Sequence, residues 1–155
     1  MNTANKISVQ AIVISILLST QVFADNSHGI IRIKSNHDVS MTIDKLETVL
    51  KEKGMTIFKR VNHSSGAEKA GLQLRPTELL IFGNPKAGTP LMLCSQTAAL
   101  DLPQKALAYK DEDGQVWLAY NDPVYIAKRH NLKGCEGPVQ KVSNALAKFT
   151  RAATE

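Results

Sequence analysis

Gly71-Leu-Gln-Leu-Arg75-Pro-Thr-Glu-Leu-Leu80-Ile-Phe-Gly-Asn-Pro85-Lys-Ala-Gly-Thr-Pro90-Leu-Met92 is the stretch whose reading decides the fold. Its centre, Leu79 to Phe82, is a short unbroken apolar run, which reads as a strand buried on both faces. Gly83 ends the strand. Asn84-Pro85 or Thr89-Pro90 can each open the helix that follows, because Asn and Thr accept hydrogen bonds from first-turn amides and Pro suits the first helical position. A buried strand that runs through a Gly/Pro turn into a helix start is a place where backbone amides become available to a ligand.

Upstream, Ile30 to Lys34 alternates apolar and charged residues and reads as a strand with one buried face. Asp38 or Ser40 can cap a helix whose Ile43, Leu46, Val49 and Leu50 recur at helical spacing, with Lys53 in its last turn and Gly54 at the left-handed cap position. Thr56 to Val61 reads as a second strand. Ser65-Gly66-Ala67-Glu68 has the spacing of a capping box for one short helical turn, closed by Gly71. Downstream, Asp101-Leu102-Pro103 turns the chain into a strand through Ala106 to Tyr109. Asp111 to Gly114 is a hairpin loop with Gly where a positive φ is needed, and Val116 to Tyr120 returns antiparallel. Asn121 or Asp122 caps a helix begun by Pro123 and ended near His130-Asn131. A last helix begins at Pro138, with Val139, Val142, Ala145, Leu146 and Phe149 as one apolar stripe. The order β-α-β-β-α-β-β-α-α, with few βαβ repeats, points to a two-layer α+β domain. Its sheet is mainly antiparallel, of about five strands, with helices packed on one face.

Three segments carry a likeness to a known family: Gly71-Leu72 through Met92, Asp101-Leu102-Pro103 through Tyr120-Asn121-Asp122-Pro123, and Tyr125-Ile126-Ala127-Lys128-Arg129-His130. Together they resemble the pattern of the bacterial and archaeal domain of unknown function 302 family, DUF302. The likeness runs from about Ile30 to Phe149. It implies a small α+β fold and a homodimer, and it implies no particular activity.

The chain opens with a targeting pattern. Lys6 supplies a short positive region, Val9 to Leu18 is mostly apolar, and Val22-Phe23-Ala24 fits the small-x-small cleavage rule at its outer positions. The apolar run is shorter than the roughly 20 residues that span a membrane. Residues 1–24 therefore read as a signal peptide, and 25–155 as a single domain with its core at about 30–150, periplasmic or secreted and free of the membrane after cleavage. Removing 24 of 155 residues leaves 131, the length of one domain with one core. A hydrophobic content of 43% against 21% charged residues excludes a disordered chain. Loss of Lys6 lowers the formal charge from +5 to +4, and the remaining basic residues are scattered rather than striped. They read as a solvated surface, and export argues against nucleic acid as a partner.

Gly83 to Thr89 has the outline of a phosphate loop: strand, Gly-x₄-Gly, Thr, helix. It lacks the lysine that should follow the second Gly, and Pro85 and Pro90 remove two amide donors, so nucleotide hydrolysis in this form is not expected. What remains is helix-start amides beside Lys86, a combination that attracts a small anion or carboxylate. The candidate ligand-binding residues are Arg75, Asn84, Lys86, Gly88 and Thr89, with Arg75 as a second contact if the fold returns it beside the loop. Against this stands the plainer reading, in which Gly, Pro and Thr only shape a turn and Arg75 pairs with Glu78. A positive φ at Gly88 would make that turn intolerant of a side chain.

His28, His37, His63 and His130 show no zinc-ligand spacing with one another or with the cysteines, and no metal or cofactor is expected. The helix dipole accounts for His130 at a helix end. Neither Gly-x-Ser-x-Gly nor a cysteine-nucleophile signature is present. Trp117 reads as core or subunit interface. Cys94 and Cys135 make an even pair in an oxidising compartment and read as a structural disulfide, with a redox-active thiol as the competing reading. The expected function is a non-catalytic, small-ligand- or partner-binding exported protein. An enzyme with a site at the Asn84–Thr89 loop is the first alternative, and a thiol or metal sensor the second.

Export is tested directly: N-terminal sequencing of the secreted form is expected to begin at Asp25, and a mature protein that still starts at Met1 in the membrane fraction overturns it.

Overall fold

The computed structural model describes the backbone of residues 22–25 and the whole of residues 28–155. The apolar run at residues 79–82 lies in a longer strand, β4 (Thr77–Gly83), along which burial alternates. Leu80 and Phe82 are fully buried, while Leu79 and Ile81 on the opposite face are half-buried. The expectation of burial on both faces is thus corrected. Successive side chains of a strand point to opposite faces, and among the described residues helices cover only one of them here.

Six antiparallel strands form one sheet, in the order β1 (Val22–Asp25), β2 (Ile30–Lys34), β6 (Val116–Asn121), β5 (Gln104–Lys110), β4, β3 (Thr56–Asn62). The expected signal segment falls mostly on residues 1–21, which lie outside the described residues. Cleavage after Ala24 would take Val22, Phe23 and Ala24 from the β1 edge and leave a five-stranded sheet bordered by β2. The architecture is a two-layer α+β fold with a mainly antiparallel sheet.

The covering layer is α1 (Val39–Glu52) and α5 (Glu136–Thr154), which pack on each other and on the sheet. Helix α1 starts where Asp38 accepts from the Met41 amide at 2.8 Å, and it ends at Gly54 with φ +69°. Its Ile43, Leu46 and Leu50 are fully buried over the inward row Leu80, Phe82, Ala106, Ala108 and Leu118. Helix α5 begins at Glu136, two residues before the expected Pro138. Its buried Thr150 and Thr154 hydroxyls donate to the carbonyls of Leu146 and Thr150, so neither is left unpaired in the core.

The connections follow local chemistry. Between β3 and β4, α2 (His63–Lys69) is longer than the single turn expected, and Asn62 rather than Ser65 caps it, through the Ser65 amide at 2.7 Å. Gly114 has φ +82° in the β5–β6 hairpin, as expected. Asp122 caps α4 (Pro123–Arg129) through the Val124 amide. Gly29 is required by close approach: its φ is +66°, and an added Cβ would sit 2.1 Å from the Tyr125 ring.

On the uncovered face, the Trp117 indole N–H donates to Asp111 at 2.7 Å, with Arg32 and Lys34 over its ring. That indole hydrogen bond holds the Asp111 carboxyl below its ordinary range.

Glu78 is the buried charge of the inward row, 7% exposed. Its partner is Arg60, not the expected Arg75. Arg60 Nε donates to Glu78 Oε2 at 2.7 Å, Asn62 donates to Oε1 at 2.8 Å, and Arg60 also binds Asp44 and Ser40 on α1. Strand pairing explains the choice, because Arg60 and Asn62 stand opposite Leu80 and Glu78 on the inward face. Arg60→Met leaves that carboxylate uncompensated and is expected to lower stability by roughly 2–3 kcal/mol, discounted because Arg60 is partly exposed. Urea unfolding checks this, and Arg60→Met combined with Glu78→Leu is expected to be less destabilising than the single change.

Candidate ligand-binding cavity

Beyond β4 the chain enters α3 (Pro85–Cys94) through Asn84, which does two jobs. Its Oδ1 accepts from the Lys86 amide at 2.9 Å, and its Nδ2 donates to the Gly54 carbonyl at 3.2 Å, tying α3 to the end of α1. The Ala87 and Gly88 amides donate to the Asn84 carbonyl at 2.9 and 3.0 Å. The first-turn amides are therefore already bonded within the protein. They do not form the anion cradle that the sequence suggested.

What the loop does build is one wall of a cavity of about 600 Å³, within the range of small-molecule sites. Helix α3 forms this wall, with the small or ring-shaped Pro85, Ala87, Gly88, Thr89 and Pro90 beside the longer Lys86, Leu91 and Met92. Opposite, α5 presents Pro138, Lys141, Val142, Ala145, Leu146 and Phe149, spaced so that they share one helical face. Met55, Phe58 and the Leu102–Pro103–Gln104 entry to β5 close the remaining sides, and the Leu102–Pro103 peptide is cis. Gly88 lies inside α3 without a positive φ. A Cβ there would meet Leu102 Cδ1 at 3.8 Å, an ordinary contact. A side chain at Gly88 would thus narrow the cavity rather than break a turn.

Four of the five candidate residues, Asn84, Lys86, Gly88 and Thr89, line this cavity. Arg75 does not. It precedes the start of β4, at the opposite end from Asn84, and a seven-residue strand separates its ends by roughly 20 Å. Its Nε donates to the Lys110 carbonyl at 3.2 Å, and it borders a separate polar depression with Asn62, Ser64, Ser65 and Glu68. The sequence reading missed Gln104 and Lys141. Lys141 carried a faint signal, as a charge on the edge of an apolar helical stripe. Gln104 carried one as the polar member of the inward row Gln104, Ala106, Ala108.

His130 stands in a different cluster. It is buried; its Nε2 lies 2.6 Å from Asp101 Oδ2 and its Nδ1 lies 3.0 Å from Thr97 Oγ1, which in turn meets Ser95 Oγ at 2.9 Å. Arg129 and Lys105 also reach Asp101. This hydroxyl–imidazole–carboxylate chain joins the end of α4 to the 3-10 turn Gln96–Leu100. None of its members lines the cavity, whose lining holds no histidine or carboxylate. Among the described residues no group of three or more His, Cys, Asp or Glu gathers as a metal site.

Cys94 at the end of α3 and Cys135 just before α5 meet at disulfide distance, with Cα atoms 6.4 Å apart. They hold the two cavity walls together at one end.

A two-layer α+β domain with an apolar cavity between two helices is the class that fold and site define. The profile of the domain of unknown function DUF302 matches residues 31–152, and the chain belongs to that family. A crystal structure of an uncharacterized conserved DUF302 protein from Bacillus stearothermophilus matches with a TM-score of 0.73 at 17% identity, covering 81% of this chain and 98% of that one. At that identity the likeness speaks for the fold alone. Fluoride-specific ion channel FluC 1 of Brucella suis biovar 1 (strain 1330) is 50% identical over 104 residues, 67% of this chain and 41% of that protein. FluC 2 of Brucella melitensis biotype 1 (strain ATCC 23456 / CCUG 17765 / NCTC 10094 / 16M) is 50% identical over the same length, 38% of that protein. The match spans about two fifths of these curated relatives.

Closing a loop of 41 residues corresponds to roughly 3–4 kcal/mol in chain-entropy terms. Replacing both cysteines by serine is expected to lower stability by about that much in denaturant titration. Alkylation of exported protein without reductant, read by mass spectrometry, is expected to label no thiol; two labelled thiols would refute the bridge.

Proposed function

We propose that this chain is an exported, periplasmic and non-catalytic protein that holds a small, largely apolar ligand in the cavity between α3 and α5, and that it works as a homodimer. The observation that carries the reading is the cavity itself: about 600 Å³, lined mainly by apolar side chains, with four sequence-selected residues on its wall. Its lining contains no carboxylate or imidazole to act as a general base, which weighs against an enzyme at this loop. Export is supported by the pattern of residues 1–24. Pairing of two copies is supported by the sheet face that no helix covers among the described residues, where Leu79, Ile81, Leu107 and Trp117 are only half-buried.

A second reading comes from the Brucella proteins. Among the described residues no helix is long and apolar enough to cross a membrane. In those channels the matching segment would then be an accessory domain beside the pore.

Titration with Nile red, a neutral apolar dye, tests the first reading on the chain from Asp25. Saturable binding with a blue-shifted emission is expected, from a protein that sediments as a pair. Gly88→Leu fills the cavity and replaces a helical glycine, so it is expected to weaken dye binding at least tenfold without lowering the melting temperature. Wild-type protein that binds no dye would refute the reading. A melting temperature raised by sodium fluoride would favour the second one instead.

A further inference from the structure

We infer that the cavity takes an amphipathic monoanion: an unbranched apolar chain that ends in a carboxylate, of the kind found in medium-chain fatty acids. The inference rests on the cavity-binding reading above and adds the chemistry of the ligand.

The apolar part follows from the walls. Val142, Ala145, Leu146 and Phe149 on α5 share the cavity with Leu91 and Met92 on α3. Such walls offer dispersion contacts and burial, and no pattern of donors and acceptors that would select a sugar or a base.

The polar end follows from three residues. Gln104 is only 7% exposed and lines the cavity, yet among the described residues its side-chain amide has no hydrogen-bond partner. The amide keeps contact with the open space of the cavity, so it is available to bond a ligand oxygen there. Gln104 pairs across the sheet with Phe82, two residues before Asn84, which puts it beneath the first turn of α3, the turn that carries Lys86.

Lys86 and Lys141 line the cavity from opposite walls, and neither has an ion-pair partner among the described residues. The Cys94–Cys135 contact sets their level. Lys86 lies eight residues before Cys94 and Lys141 six after Cys135, so both stand roughly 9–12 Å along their helices from the tie. The lining contains no acidic side chain to neutralise them. An exposed lysine can lay its stem along an apolar wall and keep its ammonium group at the mouth.

Each half of the ligand is needed. A small free anion would find no backbone cradle, because Asn84 already occupies the first-turn amides. A neutral chain would leave the Gln104 amide and both ammonium groups unanswered. A carboxylate accepts from all three.

Competition against Nile red, with every probe below its micelle concentration, tests the inference. Laurate is expected to displace the dye, and affinity is expected to rise about fourfold per added CH₂ from hexanoate until the cavity is filled. Dodecanol is expected to bind more weakly than laurate, and acetate and dodecyltrimethylammonium not at all. Lys86→Ala combined with Lys141→Ala is expected to weaken laurate about fivefold with a nearly unchanged melting temperature, and Gln104→Leu to weaken it further. Dodecanol binding as tightly as laurate, or the double lysine variant binding laurate like the wild type, overturns the ligand class and leaves the cavity reading intact. Laurate that fails to displace bound dye also overturns the ligand class alone, whereas failure of Nile red to bind overturns the cavity reading, and this inference with it.

Discussion

Among the described residues helices cover only one face of this sheet, so the core there is a single layer of inward side chains, and the size of those side chains decides how closely the helices settle. Under α1 the row combines Leu80 and Phe82 with the small Ala106 and Ala108, all fully buried, and α1 seats its leucines among them. At the end of β4 the layer changes character. Gly83 stops the strand, and Pro85, Ala87 and Gly88 on α3 are too small to reach α5. The residues that pack the middle of the domain and those that leave the cavity beside it thus belong to one continuous strand-to-helix passage.

Polar contacts hold that arrangement at its margins. The buried Glu78 carboxylate joins β4 to Arg60 and Asn62 of β3, and Arg60 reaches on to Asp44 and Ser40 of α1; the hydrogen bonds to Asp44 and Glu78 outweigh the burial that opposes the Arg60 charge. Asn84 ties the start of α3 to the end of α1. His130 and Asp101 fasten the end of α4 to the turn that follows α3, and Cys94 meets Cys135 between α3 and α5. Apart from Asn84, which stands at the cavity's edge with its side chain already bonded, the groups that fix the walls lie outside the lining, which leaves most of the lining free to be apolar. That division keeps the cavity open where a space between two helices would otherwise collapse.

The same division explains why the site has little reactive chemistry. The hydroxyl, imidazole and carboxylate groups that do meet, at Thr97, His130 and Asp101, fasten two elements together away from the cavity. The cavity keeps two lysines and one glutamine, groups that can hold a charged oxygen but do not make an acid–base pair.

Local order was legible in the residues themselves. The caps at Asp38, Asn84-Pro85 and Asp122-Pro123, the left-handed glycines 54 and 114, the hairpin and the α1 stripe all act within a few residues, and the α+β class follows from their order. Tertiary structure decided everything that depends on elements far apart in the chain. Strand pairing gave Glu78 to Arg60, while the extension of β4 held Arg75 and Asn84 at opposite ends, although the two are nine residues apart in sequence. One-sided helix packing left Leu79 and Ile81 half-covered, which an unbroken apolar run does not reveal. The cavity is the space between a helix that ends at Cys94 and one that begins at Glu136, and Gln104 and Lys141 acquire meaning only when the sheet and the cysteine pair bring those helices face to face. Caps and turns are written in neighbouring residues because their hydrogen bonds are short-range. A void has no residue of its own, so only the folded chain can define it.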